Sequence, residues 1–218
     1  MNVLSFDIET IPQDDAKLSD AQKEAIEKKV DSEISRACPN SDVDIHKIKS
    51  RIMGTSPYFG EIVVIGCYLV TPTYTRDHLF YGADEKTILT KFWEMLENFQ
   101  GLFVSYNGLK FDVPFIIKRS MFYGILPTNK NFTDTRRFRT YPHFDAQEVI
   151  SDYDRFMAPS LAVACDLLGI TSPKEGEVKA ENVAQAFKEG RVQEIANYCL
   201  RDVKATYKVY NAVKNYIQ

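Results

Sequence analysis

VLSFDIET, residues 3–10, alternates apolar and polar side chains in the way an extended strand uses, opening with Val3, Leu4 and Phe6. Successive side chains of a strand point to opposite faces, so Asp7 and Glu9 share one face. The mostly apolar flanks place this strand, expected over 2–8, at the buried centre of a sheet. Two carboxylates side by side there repel each other and lose hydration unless cations neutralise them, and a divalent metal is the simplest remedy. By itself, D-x-E is equally the pattern of an edge strand carrying two solvated acids.

Working outward, further strands are expected at 61–70, 77–81 and 102–106, with a short one near 144–149. Helices are expected at 84–99, 113–122, 159–168, 180–188 and 191–216. In the first of these Ile88, Leu89, Phe92, Trp93, Leu96 and Phe99 form one apolar stripe, which makes Trp93 a core residue. Strands early and βα units later predict an α/β fold, a mixed five-stranded sheet flanked by helices. Between the first two strands lies a charged insertion at about 13–56. Its DAQKEAIEKKVDSEISRA segment carries a modest apolar face (Ala21, Ala25, Ile26, Val30, Ile34) and reads as a helix capped by Ser19 or Asp20. Springing from the end of the acidic strand, the insertion is either a lid or strand guide, or a helix packed on the sheet edge or used in a dimer contact.

Two more stretches carry chemistry. In GLFVSYNGLKFDVPFIIKRS a turn at Asn107 and Gly108 leads to a helix entered near Asp112, with Pro114 in its first turn where a missing amide costs little. Asp112 is then either an N-cap or a functional acid. In YCLRD, Tyr198 and Asp202 are four residues apart on a helix and point to a common spot; a tyrosine bonded to the aspartate one turn on has the same spacing. Asp145 is a further acid, equally explained by a structural hydrogen bond.

At 218 residues and 44% hydrophobic the chain can bury a full core without disulfides or a structural metal. Its net charge of −3 (27 basic, 30 acidic residues) is unusual for a nucleic-acid binder but leaves room for a local basic rim. Lys110, Lys118 and Arg119 are candidates, as is TRRFRTYPHF, where Arg136, Arg137 and Arg139 alternate with Phe138 and Tyr141; the alternative for that run is a solvated loop. Cys38, Cys67, Cys165 and Cys199 lack C-x-x-C spacing, and three of them lie in apolar segments, as expected of reduced thiols. Acids at 7 and 9 leave no apolar stretch for a signal peptide, and no run approaches spanning length; a soluble cytoplasmic protein is expected, with no membrane partner.

These motifs, in this order, resemble the DEDD superfamily of 3′ to 5′ exonucleases. The resemblance is to the tyrosine subclass and most closely to the exonuclease domain of family B DNA polymerases in a free-standing form. It runs from about Phe6 to Tyr210. The other subclass has a histidine five residues before the last aspartate; here Asn197 stands there, and Tyr198 takes the tyrosine's place. The resemblance implies a ribonuclease H-like fold, one exonuclease domain over 1–218, and two divalent cations, Mg²⁺ or Mn²⁺. It implies that Asp7 bridges both metals, that Glu9 and Asp202 complete the site that activates water, that Asp112 holds the second metal through water, and that Tyr198 positions the attacking water. It further implies that Asn107, Phe111, Ile8 and Thr10 contact substrate. The expected reaction is hydrolysis of nucleoside monophosphates from 3′ ends of single-stranded DNA, with RNA or an inactive nucleic-acid-binding domain as alternatives, and a polymerase or repair partner possible.

Overall fold

The first strand, β1 (Val3–Pro12), has neighbours on both edges and is the middle of the sheet, which rules out the edge-strand reading of its acids. The computed structural model describes residues 1–36, 44–154, 156–171 and 178–216. Antiparallel to β1 runs β2 (Gly60–Val70), and β3 (Thr75–Tyr81) pairs antiparallel with β2. On the other side β4 (Leu102–Ser105) runs parallel to β1, and β5 (His143–Asp145) parallel to β4. The order β3-β2-β1-β4-β5 is the expected mixed five-stranded sheet.

Alternation along β1 divides the molecule into layers. Leu4, Phe6 and Ile8 point into a core shared with α3 (Glu85–Leu96) and α4 (Asp112–Phe122), where Phe6, Phe103 and Phe132 pack edge to face or tilted. Fully burying one such side chain contributes about 1.5–3 kcal/mol. Trp93 is 1% exposed in this core, and its indole N–H donates to Ser120 Oγ at 2.8 Å. The opposite face of the sheet is covered by α8 (Val192–Val213), whose Ile195, Cys199 and Val203 pack on Val63 and Val64 of β2. Gly66 is where this helix comes closest, since a Cβ there would meet Cys199 Sγ at 2.7 Å.

The insertion folds into two helices, α1 (Asp20–Arg36) and α2 (Ile45–Gly54). Ser19 is the cap of α1: its Oγ accepts from Gln22 N at 3.3 Å while Gln22 Oε1 accepts from Ser19 N at 2.9 Å, a reciprocal capping box. α2, which the sequence reading did not resolve from the rest of the insertion, starts at Asp44, whose Oδ1 accepts from Lys47 N at 3.0 Å. The two helices close a small core of their own around Leu18, Ile26, Val30, Ile52, Met53 and Phe59.

Short helices α5 (Ala146–Ile150), α6 (Leu161–Leu167) and α7 (Val183–Lys188) complete the fold. The strand expected near 144–149 ends at Asp145, because that carboxylate caps α5 by accepting from Gln147 N at 3.1 Å and Glu148 N at 3.3 Å. Cys67, Cys165 and Cys199 are buried free thiols, while Cys38 lies outside the described residues. No helix among the described residues is long and apolar enough to cross a membrane.

Candidate active site

Parallel pairing of β1 with β4 stops at Ser5 and Val104, and beyond that point the two strands part. A crevice at the carboxyl ends of adjacent strands is where α/β sheets place their ligands. Here Asp7 and Glu9 stand on the α8 side of β1, next to a register shift between Glu9 and Thr10 at which β2 carries the extra residue, Val63. Two cross-links register α8 against them: Ser5 Oγ donates to Val203 O at 2.9 Å, and Cys199 Sγ to Asp7 O at 3.5 Å.

The chain after β4 turns through Asn107, at a left-handed φ of +67°, and Gly108, where any Cβ would lie 2.5 Å from Ser105 Cβ. Asp145 holds this turn by accepting from Asn107 N at 2.8 Å and Leu109 N at 3.0 Å, which gives that acid a structural task. The turn delivers Asp112 to the first position of α4. Phe111, without a side-chain cap bond, occupies the cap position, and Asp112 Oδ1 instead reaches across to accept from Ile8 N at 2.9 Å. Asp112 is 2% exposed and close enough for its charge to act on the Asp7 carboxyl. From the other side α8 brings Tyr198 and Asp202, one turn apart on the same helix face.

Four acids in so little water hold one another's protons. Burial first, then the charges of Asp112, Glu9 and Asp202, push the Asp7 carboxyl well above the usual range. Glu9 is raised by burial and then by Asp202 and Asp112. Burial lifts Asp112 to about 7 despite the Ile8 amide, and Asp202 to about 6 despite its bonds from Tyr198 and the Arg201 charge. Tyr198 is raised too, by burial and the Asp202 and Glu9 charges, so the phenol stays protonated at neutral pH.

Such a cluster is satisfied by protons or by cations. Ligand atoms of Asp7, Glu9 and Cys199 lie within 4.8 Å of one another, close enough to share an ion. The thiol of Cys199 is pushed up by burial and by the Asp7 and Glu9 charges, so it remains a protonated donor to Asp7 rather than a thiolate ligand. What is left is a set of carboxylate oxygens, which suits hard divalent ions.

The acids open into a cleft of about 1430 Å³ lined by Asp7, Glu9, Tyr198 and Asp202, together with Ile8, Thr10 and Phe111. Asp112 lies beneath it. Ile8 presents its backbone while its side chain is 4% exposed in the core, and Thr10 Oγ1 donates to Gly54 O at 2.6 Å, fastening α2 to β1. Asn107 is not among the described residues lining the cleft. The far wall is α2, within the insertion that the sequence left open between a strand guide and edge packing, together with the start of α7; none of these lining residues was named from the sequence. The signal for α2 was the spacing of Ile45, Ile48 and Ile52 behind a capping Asp44.

Of the basic rim, Arg119 is corrected: it is 6% exposed and forked onto Glu85, inside the molecule. Lys118 is half-buried. Lys110 and Arg137 converge on the buried Glu148 at 3.3 and 2.6 Å, Arg136 pairs with Asp134, and Phe138 stands 71% exposed beside Arg137.

Residues 77–217 match a protein family described as "Predicted 3'-5' exonuclease related to the exonuclease domain of PolB". A DNA polymerase of Pyrococcus glycovorans is 26% identical over 140 residues, 58% of this chain and 18% of that one. The structure of the family B DNA polymerase from the hyperthermophilic archaeon Pyrobaculum calidifontis superposes with a TM-score of 0.64 at 15% identity, over 98% of this chain and 24% of the other. The shared fold is ribonuclease H-like. The chain thus spans under a quarter of the length of either polymerase.

Proposed function

Since the chain belongs to the family of predicted 3′ to 5′ exonucleases related to the exonuclease domain of PolB, we propose that it removes nucleoside monophosphates from the 3′ end of single-stranded DNA. The observation that carries this reading is the convergence of Asp7, Glu9, Asp202 and Tyr198 on one open cleft, with the buried Asp112 acting on Asp7 from beneath. This is the tyrosine-subclass arrangement of a DEDD nuclease.

Asp7, Glu9, Asp112 and Asp202 would hold two divalent cations, Mg²⁺ or Mn²⁺, and these when bound neutralise the scissile phosphate, lower the pKa of water and stabilise the leaving 3′ oxygen. Asp7, on which the charges of the other three act, would be the shared ligand. Its carboxyl, raised by burial and by the Asp112 charge, would be held ionised by bound cations. Asp112 is kept in place by the Ile8 amide at 2.9 Å, so strand and helix are locked at the ligand set. Tyr198 stays a neutral phenol and therefore orients the attacking water through its hydroxyl instead of taking its proton. Phe111 and the Ile8–Thr10 backbone line the path of the terminal nucleotide, and Asn107 steadies the turn that carries Phe111.

The test is degradation of 5′-labelled single-stranded DNA and RNA oligomers in Mg²⁺ or Mn²⁺, with EDTA and Asp7→Ala as controls. A ladder shortening from the 3′ end on DNA, abolished by both controls, is expected. A faster ladder on RNA would reassign the sugar preference, and intact substrate that still binds would leave an inactive binding domain.

A further inference from the structure

The cleft has an electrostatic asymmetry that the carboxylate floor does not explain. Asp7, Glu9, Asp44, Glu181 and Asp202 all line it, a surface that repels a phosphodiester chain until cations are bound. Among the described residues lining the cleft, only Lys47 and Arg51 are cationic, and both stand on α2, four residues apart and therefore on one face of the helix. Arg51 is tied to Glu33 of α1, whereas Lys47 forms no ion pair among the described residues. The next lysine, Lys49, turns the other way and pairs with Glu27 of α1 at 3.2 Å.

α2 is fixed in that position. The Thr10 to Gly54 hydrogen bond pins its end to β1, and its apolar side, Ile52 and Met53, is sealed against Leu18, Ile26 and Val30. A helix held at both its end and its buried face is a wall, not a lid that swings.

We infer that α2 is the phosphate-binding wall of the cleft, and that Lys47 contacts a backbone phosphate of the bound single strand, with Arg51 reinforcing it one turn on. The inference rests on the exonuclease reading. It assigns to the insertion, and not to the sheet, the positive charge that draws the strand over an acidic floor. Because the contact is to phosphate, it is blind to base sequence.

The experiment compares wild type, Lys47→Ala, Lys47→Arg and Lys49→Ala. Binding of a fluorescein-labelled oligo-dT is measured by anisotropy in Ca²⁺ between about 50 and 200 mM salt, and turnover of the same oligomer is followed in Mg²⁺. Lys47→Ala is expected to weaken binding on the order of fivefold at low salt and to flatten the plot of log affinity against log salt by about 0.7, the share of one single-strand phosphate contact. KM should rise with kcat unchanged, Lys47→Arg should restore both, and Lys49→Ala should behave as wild type. Equal changes in the Lys47→Ala and Lys49→Ala slopes, or no change in either while wild type still degrades the oligomer, would overturn the inference alone. A wild type that neither binds nor degrades the strand would remove the exonuclease reading and this inference with it.

Discussion

Tyr198 stands among the acids as a phenol that stays protonated at neutral pH. It stands one turn from Asp202 on α8, the spacing of a plain tyrosine–aspartate pair, and both side chains line the cleft. Tyr198→Phe should therefore lose on the order of 10²-fold in kcat, the usual cost of a misplaced reactant, while Mn²⁺ binding by titration calorimetry stays near wild type. Equal loss of metal binding would contradict an orienting role. Asp7 and Glu9 were legible because strand periodicity alone puts them on one face. Asp112 was not decided by sequence, since a helix-entry aspartate is usually a cap; only the three-dimensional reach to the Ile8 amide separates the two roles. Arg119 was misplaced for a related reason. Beside exposed lysines it looked like rim, but its position on α4 turns it inward, and nothing local announces that its partner Glu85 lies 34 residues away.

That buried pair matters for how elements hold together. Glu85, at the start of α3, receives the Arg119 fork from α4 and also accepts from Ile62 N of β2 at 2.7 Å, so two helices and a strand meet on one carboxylate. Arg119→Ala leaves that carboxylate buried and unpaired and should destabilise the fold by about 3–5 kcal/mol, read from the urea midpoint. A loss below about 1 kcal/mol would mean the pair is solvated like a surface bridge. The periodic elements α3, α4 and α8 were readable within a few residues because each carries an unbroken apolar stripe. α2 escaped because its apolar positions are few and its packing partner, α1, is itself mostly charged; the two helices stabilise each other and neither advertises the contact alone. β1 ran past its expected end because β2 absorbs a one-residue register shift at Val63, opposite Glu9 and Thr10, and goes on pairing with it as far as Pro12.

For the molecule as a whole the four acids couple folding to pH and to metal. Without cations, Asp112 ionises at about 7 and Asp202 at about 6, against 3.8 for a free aspartate, so between about pH 4 and 7 the native state binds more protons than the unfolded chain. Stability then falls as pH rises through that window. In EDTA the Tm should drop from about pH 5 to about pH 8, and Mn²⁺ should recover more of it at the higher pH, where the acids are otherwise forced to repel; a Tm in EDTA that rises over this range would refute the burial of these groups. The site also joins distant parts of the chain, for the first strand supplies Asp7 and Glu9 and α8 supplies Tyr198 and Asp202, joined by the Ser5–Val203 and Cys199–Asp7 contacts. A nascent or proteolytically clipped chain that lacks α8 keeps Asp7, Glu9 and Asp112 of the cluster and loses Tyr198 and Asp202. The cluster is therefore complete only once α8 has docked on the sheet, which ties the proposed activity to the folded state.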